Sequence, residues 1–271
     1  MKFRIMAVIV CLAVIAAVII WKPLPRPSME NATVKLMPTA QPPAGHDDVL
    51  AVFFSGDGGW RDLDQQLGNR LVARGVPVLG VSCLDYYWRN RSPEQSAQEL
   101  DALITQYTAQ WHKQKVWLIG FSFGADVLPT IVNKLSPANR ARLVQMVLLS
   151  PSQDVNFEVE LEGYIMVREN WFKTHLKEIM QAINPVPHYP ALPPIAALQN
   201  QPPLICYYGH DDSDDTVCDD PKLPKWVKVY EMSGDHHFNY DYDGLATRMI
   251  GDLPANPAPA GNAPPSSAST Q

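Results

Sequence analysis

The sequence is poor in cysteine and has no excess of basic residues. It contains 4 Cys among 271 residues, without a C-x-x-C pair, which excludes the common zinc-ribbon pattern. Its 22 Lys and Arg are outnumbered by 28 Asp and Glu, so the net charge is -6 and a basic groove for nucleic acid is not expected. With 46% hydrophobic residues the chain can bury one sizeable core, and no shift in composition indicates two.

One long uncharged stretch stands at the N-terminus. Lys2 and Arg4 precede residues 5–21, which carry no charged side chain and are long enough to cross a bilayer at a slight tilt. Because no small-x-small cleavage site closes this run, we favour a retained anchor over a cleaved signal peptide, with the remaining chain exported. Lys22 and Arg26 lie just beyond the span and weaken the charge argument for this orientation.

The remaining chain divides by composition into three parts. Residues 22–47 contain six prolines and predict an extended linker, with a short edge strand at 33–37. Residues 48–253 predict one folded domain, and residues 254–271 form a tail of Pro, Ala, Ser and Gly that we expect to be disordered. The predicted order is therefore membrane segment (1–21), linker, domain and tail.

Within the domain, buried-type strands alternate with amphipathic helices, which predicts a mostly parallel sheet covered by helices on both faces. The predicted strands are residues 49–54, 76–81, 116–119, 143–149, 204–208 and 226–232. A helix is predicted at 62–74, another opens at Ser92-Pro93-Glu94-Gln95 with an N-cap and capping-box pattern, and the last spans 242–250. Residues 84–91 are polar and aromatic, and we expect them to form a loop at the rim.

The strand at 116–119 leads into Gly120-Phe121-Ser122-Phe123-Gly124, a G-x-S-x-G pattern followed by a helical run. This pattern alone is common, but between a strand and a helix it predicts a nucleophile elbow that exposes the hydroxyl of Ser122. The backbone N–H of Phe123 would then face a developing oxyanion from a helix N-terminus. The glycine-rich loop at 55–60, which is otherwise an ordinary turn, would supply a second N–H, from Asp57.

A nucleophilic serine needs a base and an acid, expected later in the chain in the order Ser, acid, His. The acid should follow a strand, and Asp212 fits that place, with Asp211 or Asp214 as fallbacks. The base should follow the last strand, where His236 and His237 are adjacent. We favour His236, although spacing does not separate the two.

Six aspartates fall between residues 211 and 220, more than a triad needs. A solvated acidic loop is the simplest interpretation. A calcium loop is disfavoured because Thr216 and Lys222 stand where glycine and glutamate are required. The sharper hypothesis is that Asp214 and Asp215 hold a cationic group of the substrate.

Two further features leave alternatives open. Cys206 and Cys218 flank a short loop and would form a disulfide in an oxidising compartment, or less readily a metal site, whereas Cys83 is expected to be a small buried residue. Between residues 152 and 203 the alternation lapses. A strand at 157–166 and a helix at 171–183 there form either a lid over the pocket or an irregular connection.

Four motifs in order, SGDGGW, GFSFGADVLP, YGHDDSDDTVC and GDHHF, give residues 49–253 a resemblance to the VirJ-type bacterial virulence family of α/β-hydrolases. The resemblance implies an α/β-hydrolase fold and a periplasmic protein attached to the inner membrane. It also implies a triad of Ser122, Asp212 and His236. Members are linked to hydrolysis of aminoacyl-phosphatidylglycerol and to type IV secretion.

The expected activity is therefore serine-esterase hydrolysis of a phospholipid at the membrane surface, without a cofactor or a metal. Two alternatives stay open: a general exported carboxylesterase or lipase, and a secretion-associated adaptor whose triad is vestigial. The sequence does not indicate an oligomeric state.

Overall fold

The computed structural model describes residues 26–160 and 186–255, and these build a seven-stranded sheet. Its strands, in chain order, are β1 (Thr33–Leu36), β2 (Val49–Phe54), β3 (Val78–Val81), β4 (Lys115–Phe121), β5 (Leu143–Leu149), β8 (Leu204–Gly209) and β9 (Lys228–Met232). A separate antiparallel pair joins β6 (Asp154–Val155) to β7 (Tyr189–Pro190). Across the main sheet the order is β1-β3-β2-β4-β5-β8-β9. All neighbours are parallel except β1, which runs antiparallel to β3.

Helices cover both faces of the sheet, as predicted. They are α1 (Asp62–Ala73), α2 (Cys83–Tyr86), α3 (Pro93–Gln110), α4 (Phe123–Val132), α5 (Pro137–Arg140), α6 (Leu192–Ala197) and α7 (Tyr242–Asp252). One apolar cluster packs α3, α4 and α6 against one face, and a second packs α1 and α7 against the other. Successive residues of β2 alternate between these clusters, so this strand is buried along its whole length.

The predicted start of α3 is confirmed. The backbone N–H of Gln95 donates to the Ser92 hydroxyl at 3.1 Å, and Pro93 occupies the first turn, where its missing N–H costs nothing. The Gln95 side chain donates to Glu99 instead of turning back to Ser92, so the capping box is only half formed.

Part of the segment predicted as a linker belongs to the folded domain. Met29 is fully buried, and β1 pairs with β3 from Thr33 to Leu36. The Met29 N–H donates to Glu99 at 2.7 Å, which fixes this segment to α3. The proline count concealed this, because the prolines lie on either side of the edge strand, where no ladder N–H is required.

Residues 84–91, predicted as a rim loop, are partly core. Tyr86 and Tyr87 are buried, and Arg91 is only 3% exposed with its guanidinium 4.4 Å from the centre of the Tyr86 ring. Arg91 donates to the Tyr86 carbonyl, and the Tyr87 hydroxyl donates to Ser96. The Tyr87 hydroxyl and the Arg91 guanidinium thus find partners inside the fold, so the polarity of the segment did not imply exposure.

Several predictions fall wholly or partly outside the described residues: the membrane segment at 5–21, the helix at 171–183, most of the strand at 157–166 and nearly all of the tail. Residues 157–160 make no strand pairing. The Phe157 carbonyl accepts a hydrogen bond from the Arg91 N–H, and the Val159 N–H donates to the Tyr87 carbonyl. Within 26–160 and 186–255, no helix has the length and apolar character needed to cross a membrane.

Candidate active site

Ser122 lies at the junction between β4 and α4 in a strained conformation. Its φ of 51° and ψ of −122° place a non-glycine residue in a region that L side chains rarely adopt. A Cβ on Gly120 would lie 2.6 Å from the Gly124 carbonyl oxygen, and a Cβ on Gly124 would lie 2.4 Å from the Phe54 oxygen. Both glycines are therefore needed for strand, turn and helix to approach this closely, as the elbow pattern predicts.

The glycine-rich loop after β2 lies directly against this elbow. A Cβ on Gly56 would lie 3.6 Å from the Ser122 Cβ and 3.2 Å from the Phe121 ring. The loop is held by the Gly59 N–H donating to the Gly56 carbonyl at 3.1 Å, and Gly59 has a φ of +80°. Asp57 and Ser122 line one cavity, so the structure brings the predicted second oxyanion donor beside the serine.

Asp64, on α1, is a supporting residue that the sequence analysis missed. Its side chain is buried and accepts a hydrogen bond from the Gly56 N–H at 3.2 Å. Burial raises the pKa of Asp64 well above its usual range, and the nearby Asp62 and Asp57 carboxylates add to the shift. The spacing of α1 marks Asp64 only as the neighbour of the core residue Leu63, so no local pattern identifies it.

The structure brings Asp212 and His236 together although they lie on different loops. Asp212 ends a 3-10 turn after β8, and its Oδ2 lies 2.6 Å from Nδ1 of His236, in the loop after β9. The loops are pressed together because Gly209 has no side chain: a Cβ there would lie 2.1 Å from the Asp235 oxygen. Asp211, one of the two fallback acids, donates its backbone N–H to the Gly234 carbonyl.

His237 has different surroundings. Its Nδ1 lies 3.3 Å from the Tyr242 hydroxyl, and its ring stacks on Tyr240 with centroids 5.7 Å apart. Burial and the neighbouring His236 lower the pKa of His237. His236 therefore has a carboxylate partner that would stabilise an imidazolium, and His237 has aromatic partners.

Two cavities meet at His236. The inner cavity, of about 200 Å³, is lined by Ser122, His236, His237 and the glycine-rich loop. The outer cavity, of about 610 Å³, is lined by five aspartates, namely Asp126, Asp154, Asp212, Asp214 and Asp215, together with His188, His236 and neutral residues of the 150–156 segment. The predicted substrate-binding pair Asp214 and Asp215 thus lies on the wall of a cavity adjoining the nucleophile.

Asp126 was also missed by the sequence analysis. It follows Ser122 by four residues on α4, and its Oδ1 accepts the Ser152 N–H at 2.6 Å. Burial raises the pKa of Asp126 to about 8, and the neighbouring Asp57 and Asp154 contribute to the shift. The i, i+4 spacing from the nucleophile was the available signal, since such residues share one face of a helix.

The acidic loop is tied to the sheet by a disulfide between Cys206, on β8, and Cys218. The loop so closed carries Asp212, Asp214 and Asp215, and closing it restricts the unfolded chain. Cys83 is a buried free thiol, as expected. No group of three or more His, Cys, Asp or Glu among the described residues could hold a metal ion.

Comparison with known proteins places this fold among α/β-hydrolases. A family model described as "Bacterial virulence protein (VirJ)" matches residues 48–256. The esterase Pf2001 of Pyrococcus furiosus is 12% identical, with a TM-score of 0.52 over 80% of this chain and 87% of that one. An alpha-beta serine hydrolase homologue from Coxiella burnetii is 13% identical, with a TM-score of 0.51 over 82% and 91% of the two chains. A search of curated proteins finds no match. The structural likenesses confirm the predicted α/β-hydrolase fold.

Proposed function

The chain belongs to the VirJ family of bacterial virulence proteins, and on that basis we propose that it is a serine esterase acting on aminoacyl-phosphatidylglycerol. The proposal rests mainly on one observation: Ser122, in its strained conformation, and His236 line the same cavity. His236 in turn lies 2.6 Å from Asp212. In this assignment Ser122 is the nucleophile, His236 the base and Asp212 its orienting acid.

The proposed reaction has two steps. Asp212 binds Nδ1 of His236, so Nε2 accepts the Ser122 proton as Oγ attacks the aminoacyl carbonyl carbon. The N–H groups of Phe123 and Asp57 stabilise the oxyanion. Its collapse breaks the bond to the glycerol oxygen, which takes the proton from His236. Water, activated by His236, then cleaves the aminoacyl-serine ester and releases the amino acid.

The outer cavity supports the choice of an aminoacyl substrate. An aminoacyl ester carries an ammonium group next to its carbonyl, and the carboxylates of Asp154, Asp214 and Asp215 around this cavity supply negative charge close to the nucleophile. Partial burial raises the pKa of Asp126, which also lines this cavity, and an ammonium group beside it would favour its ionised form. In the proposed setting the domain is periplasmic and tethered to the inner membrane by residues 5–21.

The function is tested by presenting the full-length protein with vesicles containing lysyl-phosphatidylglycerol and, separately, its Nα,Nε-diacetylated form. Both lipids carry the same ester, but only the first has cationic groups. We expect release of lysine from the first lipid and at least tenfold slower release from the second. Equal rates, or release of fatty acid instead of the amino acid, would favour a general esterase or lipase.

The double substitution Asp214→Asn and Asp215→Asn is expected to raise KM for the cationic aminoacyl ester about five- to thirtyfold, since each exposed carboxylate contributes about 0.5–1 kcal/mol to holding an ammonium group. The KM for a neutral acyl ester should change less than twofold. Initial rates over a range of both substrates measure the difference.

The matched control is the double substitution Asp219→Asn and Asp220→Asn. It removes the same charge from the same loop, but these residues do not line the outer cavity. If both double variants raised KM equally, or if the neutral ester were affected as strongly, charge recognition by Asp214 and Asp215 would be excluded.

A further inference from the structure

The chain enters the domain at the same edge of the sheet as the active site, namely the edge formed by the carboxyl ends of the parallel strands. Because β1 runs antiparallel to β3, its first residue, Thr33, lies opposite Val81 at the carboxyl end of β3. The Ser82 N–H donates to the Ala32 carbonyl at 2.8 Å, which continues this pairing beyond the strand. Ser122, Asp212 and His236 follow the carboxyl ends of their own strands, so they lie at the same edge.

The residues before β1 are fixed at this edge. The Arg91 guanidinium donates to the Pro27 carbonyl at 2.5 Å, and Glu99 accepts the Met29 N–H. Only residues 22–26 then separate the fixed segment from the predicted membrane span at 5–21. Five residues reach at most about 18 Å, so a membrane anchor would keep the active-site edge close to the bilayer.

The surface next to this entry point has the composition of a membrane interface. Trp88 is 46% exposed, and it lines a shallow cavity with Arg26, Arg89 and Asp85. Tryptophan is favoured at the headgroup level of bilayers, and arginines near the surface are attracted to anionic lipids. Arg26 is exposed and Arg89 is partly buried, and Asp85 offsets one of their two positive charges, so Trp88 is needed to complete the contact.

This surface is continuous with the active site. The segment that carries Trp88 begins at Ser82, and a Cβ on Gly59, in the glycine-rich loop, would lie 3.1 Å from the Ser82 hydroxyl and from the Leu84 Cβ. Tyr87, beside Trp88, packs against Phe123 with ring centroids 5.2 Å apart. A bilayer that touches Trp88 would therefore also lie near the entrance to the serine.

We propose that Arg26, Trp88 and Arg89 form a membrane-contact surface that rests on an anionic bilayer and turns the catalytic opening toward it. The inference rests on the proposed function for its membrane tether. Its consequence is that the ester of a lipid headgroup reaches Ser122 without the lipid leaving the bilayer.

The contact is tested with the full-length protein in vesicles of phosphatidylethanolamine and phosphatidylglycerol whose acyl chains carry bromine, a quencher of tryptophan fluorescence. We expect the variant Trp88→Phe to lose part of the quenched fluorescence. The control Trp111→Phe removes a partly buried tryptophan at the other end of the strands, and it should leave the quenched component unchanged. Identical quenching in wild type and Trp88→Phe would overturn the proposal.

A kinetic test uses charge reversal. The double variant Arg26→Glu and Arg89→Glu should raise KM for the vesicle-bound aminoacyl lipid about tenfold or more, because basic residues near an anionic surface attract it and acidic residues repel it. The kcat/KM for a water-soluble aminoacyl ester should stay the same. Reversing Lys222 and Lys225, exposed residues on the segment leading to β9, is the control and should alter neither value.

An unchanged lipid KM in the Arg26 and Arg89 variant, or an equal loss on the soluble ester, would overturn the membrane-contact surface. If the protein hydrolysed no aminoacyl lipid at all, the proposed function would fail. The quenching difference at Trp88 would still decide the surface independently.

Discussion

Replacing Ser122 with alanine is expected to lower kcat for ester hydrolysis about 10⁵- to 10⁶-fold, as in other enzymes whose serine, base and acid act as a unit. The substitution removes the oxygen that forms the acyl-enzyme, while the oxyanion donors and the cavity remain. The strain at φ 51° lies in the backbone and is the same for serine and alanine, so the substitution should not destabilise the fold. Rates on an aminoacyl lipid and thermal unfolding, measured on the same preparations, check both parts.

Ser92→Ala is the matched control, because it also removes one hydroxyl but acts at the N-cap of α3. It should lower the free energy of unfolding by about 1 kcal/mol and leave kcat unchanged. A Ser122→Ala variant that kept its hydrolytic rate would exclude the proposed nucleophile. One that lost hydrolysis but kept full cellular function would support the adaptor alternative.

The second large effect separates the two adjacent histidines. His236→Ala is expected to lower kcat about 10⁴- to 10⁶-fold, whereas His237→Ala should lower it less than about tenfold. The reason is geometric: Asp212 lies 2.6 Å from His236, while His237 contacts Tyr242 and Tyr240. Asp212→Asn should cost about 10⁴-fold in kcat by favouring the wrong imidazole tautomer.

The opposite pattern of losses in kcat would contradict the assignment of His236 as the base. If His237→Ala caused the larger loss and Asp212→Asn had little effect, His237 would be the base and Asp212 a loop-forming residue. The wild-type kcat profile against pH, compared with that of His237→Ala, gives a further check. Removing a histidine that is not the base should leave the acid limb of the profile in place.

Much of the fold was accessible from the sequence because its signals are local. Each of three features can be recognised from a few neighbouring residues: the apolar run of β2, the cap at Ser92 and the two glycines around Ser122. The convergence of Ser122, Asp212 and His236 at one end of the sheet was also expected, since parallel strands bring their carboxyl ends to one edge.

The features that were missed depend on contacts between distant parts of the chain. Two partners of Arg91, the Pro27 carbonyl and Glu99, lie outside the polar segment around it and cannot be identified from that segment. Asp64 and Asp126 look like ordinary helix residues until the fold buries one and aims the other at the outer cavity. Only the 2.6 Å contact to Asp212 distinguishes His236 from His237, because the sequence positions of the two histidines are nearly equivalent.

Covalent labelling shows directly whether Ser122 is an activated nucleophile. The full-length protein is treated with a fluorophosphonate, which reacts with activated serine hydroxyls, and the adduct is located by peptide mass spectrometry. We expect one adduct, on Ser122, with labelling strongly slowed in His236→Ala. An absence of labelling, or an adduct on Ser150 in the neighbouring outer cavity, would contradict this expectation.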